Sequence, residues 1–268
     1  MSGAAWAPIE VASHVAPRRT SAFLPREHGS WSLACEPLAL GLLVAPSLGG
    51  AALALAAIAG FFSRRPAKAV AFPGSSARRG APAALALLGS CAATGLWEAA
   101  LLCGIRSLWP LLLAAPLAVL YLIFDLRREA RAATAEIAGC AAFSLVPASL
   151  ASLGGWTAGP ALALAAVMCA RSVPTVMALR SAVRIGKGER ASRLAPVVAA
   201  LAALGMLGLL ASLALVPWAT TVLSLLLVVR SVILARTRPV GPAVRTLGVT
   251  EAAIGAAYVT AAALAYRL

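Results

Sequence analysis

Long apolar stretches, separated by brief polar punctuation, make up almost the whole chain. A helix needs about 20 consecutive apolar residues to cross the hydrocarbon of a bilayer, and stretches close to that length recur from end to end. The first runs from near Ser30 to Leu48, the second from Gly50 to about Val70, the third over Ala81–Gly104 and the fourth over Leu108–Leu126. The fifth covers Thr134–Leu153, the sixth Ala158 to about Arg180, the seventh Leu194–Val216, the eighth Trp218–Ala235 and the last Leu247–Ala265. The pattern predicts an all-α fold, a polytopic transmembrane bundle of about nine helices forming one domain over residues 23–268. Residues 1–22 are polar, small and proline-containing. Arg18 and Arg19 come just before the first apolar stretch, and the basic-then-apolar order of a secretory signal is absent from the start of the chain. That segment reads as a disordered cytoplasmic tail.

Polar positions supply the orientation. The connections after the first, fifth and seventh segments carry no Lys or Arg, and the connection after the third carries only Arg106. The alternate connections hold Arg64, Arg65, Lys68, Arg78 and Arg79, then Arg127, Arg128 and Arg131. Arg180, Arg184, Lys187, Arg190 and Arg193 follow, and Arg236, Arg238 and Arg245 complete the set. Cytoplasmic loops collect Lys and Arg, so the alternation places the N-terminus in the cytoplasm and the C-terminus outside, in a cell membrane. Most of these cations, including Arg78, Arg79, Arg127, Arg128, Arg184, Lys187 and Arg190, read as determinants of topology.

Composition agrees with the pattern. Of 268 residues, 61% are hydrophobic and 12% charged, about half the charged fraction that wets a soluble domain, and mean hydropathy is +0.90. The formal net charge of +14 would suggest nucleic acid in a soluble protein. Here the positive-inside bias accounts for it, and the partner it implies is membrane lipid with anionic heads, not nucleic acid. Cys35, Cys91, Cys103, Cys140 and Cys169 are scattered through apolar segments without a CxxC pair, as small buried hydrophobes are. Ala and Gly along every segment suit close helix packing in lipid.

Ionisable residues inside the spans are expensive and usually face a cavity or a partner. Arg171 lies nine residues before Arg180, about 13 Å deeper at 1.5 Å per residue, with Pro174 one turn on. The second segment has a similar layout: Arg64, Arg65, Pro66 and Lys68 follow an apolar half, and Arg64 and Lys68 share a helix face. Arg230, near the end of the eighth segment, is placed to snorkel to the interface. Positive charge at depth without a nearby acid calls for an anionic ligand, so Arg64, Arg65, Lys68, Arg171 and Arg180 are candidate substrate-binding residues. Glu36, Glu136 and Glu251 either neutralise arginines or belong to a site, and Glu98 sits near the outer headgroups. Glu27, His28 and Glu36 surround the start of the first segment, with His28, Ser32 and Glu36 on one stripe, and are candidates for proton transfer. GxGxxG, P-loop and HExxH motifs are absent, and no metal site is assigned.

The opening Pro25-Arg26-Glu27-His28-Gly29-x-Trp31 resembles the bacterial YwiC-like membrane protein family. Arg65-Pro66, Glu136-x-x-Gly139 and the run Arg171-Ser172-Val173-Pro174-Thr175 through Arg180 extend the resemblance from about Leu24 to the end. That family is similar to a distant branch of the UbiA superfamily of intramembrane prenyltransferases. The resemblance implies a UbiA-like, nine-helix, N-in bundle whose cavity opens to the cytoplasm and takes an isoprenoid or other anionic amphiphile. In that superfamily, aspartate-rich motifs on helices two and six hold magnesium and the prenyl diphosphate. The corresponding stretches here, Ser63–Lys68 and Arg171–Arg180, contain no aspartate, so a magnesium cofactor is not supported. Cationic side chains would instead have to hold a diphosphate directly. The alternative is a non-catalytic lipid or quinone binder, or a transporter of an anionic metabolite.

Overall fold

A computed structural model describes residues 28–72, 80–130, 132–237, 239 and 242–268, apart from the side chains of 28–33, 242, 244 and 245. Every regular element among these residues is helical. The helices are α1 (His28–Val44), α2 (Leu48–Ala71), α3 (Ala81–Cys103), α4 (Pro110–Leu126) and α5 (Ala133–Ser144). They continue with α6 (Val146–Leu153), α7 (Ala158–Gly186), α8 (Leu194–Ser212), α9 (Trp218–Arg236) and α10 (Pro242–Ala265). A short 3-10 turn, Ile105–Leu108, joins α3 to α4.

The fifth predicted segment is α5 and α6 in tandem, a 21-residue span, Ala133–Leu153, broken at Leu145. Pro147 causes the break. It has no N–H to continue the ladder, and its ring would press on the carbonyl one turn back. The Leu145 N–H instead donates to the Ala142 carbonyl at 3.2 Å, a tightened turn. Pro37, Pro66, Pro116 and Pro174 lie inside α1, α2, α4 and α7 without ending them. Within a membrane, neighbouring helices and local adjustments satisfy the carbonyls that a proline frees.

Six of these segments are long and apolar enough to cross a membrane: α3, α5 with α6, α7, α8, α9 and Thr246–Ala265 of α10. The α4 helix is apolar but has only 17 residues, and α2 has 24 but ends on Arg64, Arg65 and Lys68. The longest helix is α7, with 29 residues, or about 43 Å at 1.5 Å per residue against a hydrocarbon thickness of about 30 Å. It continues six residues past Arg180, with Arg184 in its last turn.

Tight turns without charge join α1 to α2, α6 to α7 and α8 to α9. Ser47 caps α2 by accepting the Gly50 N–H at 3.0 Å. Gly155, with φ +84°, supplies the left-handed residue after α6. The core has two parts. Leu40, Leu164, Met168, Leu207 and Tyr258 centre one that gathers α1 and α6–α10 around α7. Leu38, Leu53, Ala99 and Leu150 centre the other, between α1, α2, α3 and α6.

Small residues set the distance between helices. A Cβ on Gly95 of α3 would lie 2.6 Å from the Ala52 carbonyl oxygen of α2, so the two backbones touch, as they do in lipid where close packing takes the place of hydrophobic burial. The outer face carries large apolar side chains: Leu87, Trp97, Leu112, Val198, Leu209 and Leu226 are all exposed. A water-facing surface does not display such a belt. The structure is that of a multi-pass membrane protein.

Candidate functional site

Among the described residues, three groups of ionisable side chains join different helices. The deepest centres on Arg171 of α7, whose side chain is 3% exposed. Its Nε lies 3.6 Å from Glu36 Oε2 of α1, and its Nη1 lies 3.8 Å from Glu251 Oε2 of α10. Its Nη1 also donates to Thr175 Oγ1 at 2.6 Å, and Nη2 donates to the Glu251 carbonyl at 3.0 Å. Arg230 of α9 completes the group, donating from Nε to Glu251 Oε1 at 2.8 Å, with Nη2 at 2.6 Å from the same oxygen. Two arginines and two glutamates thus balance in charge and bind four helices together. The Arg171 side chain at the centre of this group is almost completely withdrawn from the surface. Gly255 makes the geometry possible: a Cβ there would collide with the Glu36 carboxylate, which lies against the α10 backbone.

A second group joins α2 to α4. Lys68 Nζ is 2.5 Å and Arg64 Nη2 3.3 Å from the same oxygen of Asp125, Oδ1. Arg64 also donates to the Tyr121 hydroxyl and stacks over the Tyr121 ring, 4.4 Å from its centroid. Helical spacing brings each pair together: Arg64 and Lys68 are one turn apart on α2, and Tyr121 and Asp125 one turn apart on α4. Gly139 of α5 clears the way for the Tyr121 ring, which would sit 2.9 Å from a Cβ at that position. Asp125 is buried, whereas the Arg64 and Lys68 side chains keep 27% and 34% of their exposure, so both cations reach the surface of the bundle. Arg65 beside them is half-buried.

The third group lies where α7 leaves the bundle. Arg180 Nη1 donates to Glu136 Oε2 of α5 at 2.7 Å, and Arg184 Nε donates to Glu189 Oε2 at 2.8 Å. Between them and α5 is an open cavity of about 170 Å³, lined by Ile137, Val176, Met177, Ser181 and Ser192 together with Arg180 and Arg184.

These positions change the picture drawn from the sequence. Arg64, Lys68 and Arg171 lie at depth as expected, but the expectation that they lack a local acid does not hold. Arg64 and Lys68 meet Asp125, and Arg171 meets Glu36 and Glu251. The two positions are organised around different acids and different helices. Arg230 turns inward to Glu251 instead of snorkelling outward. Of the proposed proton-transfer residues, Glu36 sits against Arg171. Glu27 falls outside the described residues, and His28 begins α1 with a side chain that is also outside them. Among the described residues, no three His, Cys, Asp or Glu side chains come together as a metal site would require.

The residues missed from sequence are Tyr121 and Asp125. Asp125 carried a usable signal: it is the single aspartate of the chain, at the end of an apolar segment where an unpaired carboxylate is costly.

Residues 24–151 match the family described as YwiC-like protein. The match spans α1 to α6, with Glu36, Arg64, Lys68, Asp125 and Glu136, and stops before α7. No curated protein and no solved structure matches the chain.

Proposed function

We propose, taking the YwiC-like match over residues 24–151 as the premise, that the protein binds an anionic, lipid-soluble substrate at the basic end of its bundle and acts on it as a divergent UbiA-like intramembrane transferase. The observation that supports this reading is the division of the cations by depth. Arg171 and Arg230 are held in a charge-balanced group, whereas Arg64, Lys68 and Arg180 are partly exposed where α2 and α7 end. Arg64, Arg65, Lys68 and Arg180 are the side chains placed to meet an anionic head, and guanidinium forks match phosphate oxygens. The head enters from the cytoplasmic face, with the N-terminus inside and the C-terminus outside, as the basic loops imply. Glu27 and His28 are the proton-transfer candidates at the start of α1. Arg171 and Glu36 keep that end of α1 in place against α7.

A second reading follows from the same group. Glu36, one of the assigned acids, is occupied by Arg171, which suits a non-catalytic binder of an anionic lipid or quinone-like ligand, or a transporter of an anionic metabolite. The two readings differ in turnover. Incubating the purified protein with isoprenoid diphosphates of several chain lengths and a lipid-soluble acceptor, with and without magnesium, is expected to give saturable binding and slow diphosphate release. Binding without release selects the non-catalytic reading. If these compounds neither bind nor react under either condition, prenyl transfer is excluded.

A further inference from the structure

The cavity beside α7 has a chemistry of its own. Its lining combines apolar side chains, Ile137 of α5 and Val176 and Met177 of α7, with Arg180, Arg184, Ser181 and Ser192. The order along α7 explains the arrangement. Val176, Met177, Arg180, Ser181 and Arg184 fall at three- and four-residue spacings on one helix face, with the apolar members one turn deeper than the cations. A cavity of about 170 Å³ is large enough to admit a phosphate group.

The two arginines are already oriented. Arg180 is held by Glu136 at 2.7 Å and Arg184 by Glu189 at 2.8 Å. All four side chains are partly exposed, at 24% and 32% for the first pair and 43% and 48% for the second. Exposed ion pairs of this kind contribute little to stability, so an incoming phosphate displaces a carboxylate at low cost and gains two guanidinium forks in exchange. The carboxylates would act as exchangeable counter-ions to the two arginines that line the cavity.

We infer that this groove between α5 and α7 is the seat of an anionic membrane lipid whose head is a phosphate monoester, held by Arg180 and Arg184 beside the apolar side chains of Ile137, Val176 and Met177, with Glu136 and Glu189 as competing counter-ions. The inference rests on the proposed anionic-amphiphile reading and gives it a place and a head-group chemistry.

The test is a titration of the detergent-purified full chain with short-chain phosphatidic acid, followed by native mass spectrometry, with inorganic phosphate and a phosphatidylcholine of equal chain length as separate arms. Phosphatidic acid is expected to bind saturably, and the other two much more weakly. Arg180→Ala and Arg184→Ala should each weaken binding about tenfold, equivalent to about 1.4 kcal/mol. Glu189→Gln, which removes a competitor, should tighten it, an effect that a merely structural loop contact would not produce. Arg184 and Glu189 lie at the exposed end of α7, so their variants keep the test valid even if Arg180→Ala folds poorly. Wild-type binding by both arginine variants, or an equal loss in Arg127→Ala and Arg128→Ala, overturns the groove while leaving anionic-lipid binding at the basic end intact. Equal affinity for inorganic phosphate overturns the lipid as occupant. Failure to prefer any anionic lipid over phosphatidylcholine overturns both the groove and the reading beneath it.

Discussion

Replacing Arg171 by alanine is expected to abolish stable folding of the bundle, because it leaves Glu36 and Glu251 facing one another's helices without the guanidinium that joins them. Removing one partner of a buried ion pair costs about 3–5 kcal/mol, a large part of the stability of most proteins. Arg171 also supplies hydrogen bonds to Thr175 and to the Glu251 carbonyl, so its loss orphans more than one acceptor. Lysine is a poor substitute: one ammonium cannot reach α1, the Thr175 hydroxyl and the α10 backbone together. The double variant Arg171→Met with Glu36→Gln is expected to recover much of the loss, since the Arg230–Glu251 pair that stays behind is neutral. Thermal unfolding and monodispersity in detergent check both outcomes. If Arg171→Ala is as stable as wild type and loses only ligand binding, Arg171 belongs to a substrate site and the structural assignment made here is wrong.

The second large effect is at Gly255. A methyl group at this position would occupy space that the Glu36 carboxylate holds, and Glu36 cannot withdraw without leaving Arg171. Alanine should gain up to about 1 kcal/mol in helix propensity over glycine, while overpacking a filled site costs about 1–3 kcal/mol, and here the rigid neighbour is a charged group. The net expectation is destabilisation of Gly255→Ala, growing with the size of the substituted side chain. In a Glu36→Ala background the same substitution should cost far less, because the obstructing carboxylate is gone. The double-mutant cycle read by thermal unfolding gives the coupling directly. Additive effects would mean that α1 and α10 do not approach at Gly255 as described.

Sequence and structure agree best where the physics is one-dimensional. The apolar stretches locate the helices because crossing a membrane depends on length and hydropathy alone, and the structure departs mainly in detail, as at Leu145, where Pro147 divides the fifth span in two. Depth was legible on the same grounds: nine residues separate Arg171 from Arg180, and only Arg171 is buried. Partnership was not. The sequence does not say which arginines Glu251 meets, and the side chains found against it are Arg230 on α9 and Arg171 on α7, the latter eighty residues away. Those contacts depend on the order of helices around α7, which hydropathy does not encode. Asp125 was conspicuous as the single aspartate, but which cations it serves depends on α4 lying beside α2. Of the resemblance motifs, Glu136-x-x-Gly139 gains a physical content: Glu136 holds Arg180, and Gly139 admits the Tyr121 ring.

The cations of this protein fall into a buried, balanced group that holds the helices together and a partly exposed set at the basic end, which we propose binds an anionic amphiphile. The most direct measurement is mass-spectrometric identification of the lipids that remain with the protein when it is extracted gently from its membrane. The wild-type chain should retain an anionic amphiphile well beyond its share of the bulk lipid. Arg64→Gln and Lys68→Gln combined with Asp125→Asn, which leaves no buried carboxylate unpaired, or Arg180→Ala combined with Arg184→Ala, should deplete it while the helical content stays intact. Retained lipid in bulk proportions, unchanged in either combined variant, would contradict the account.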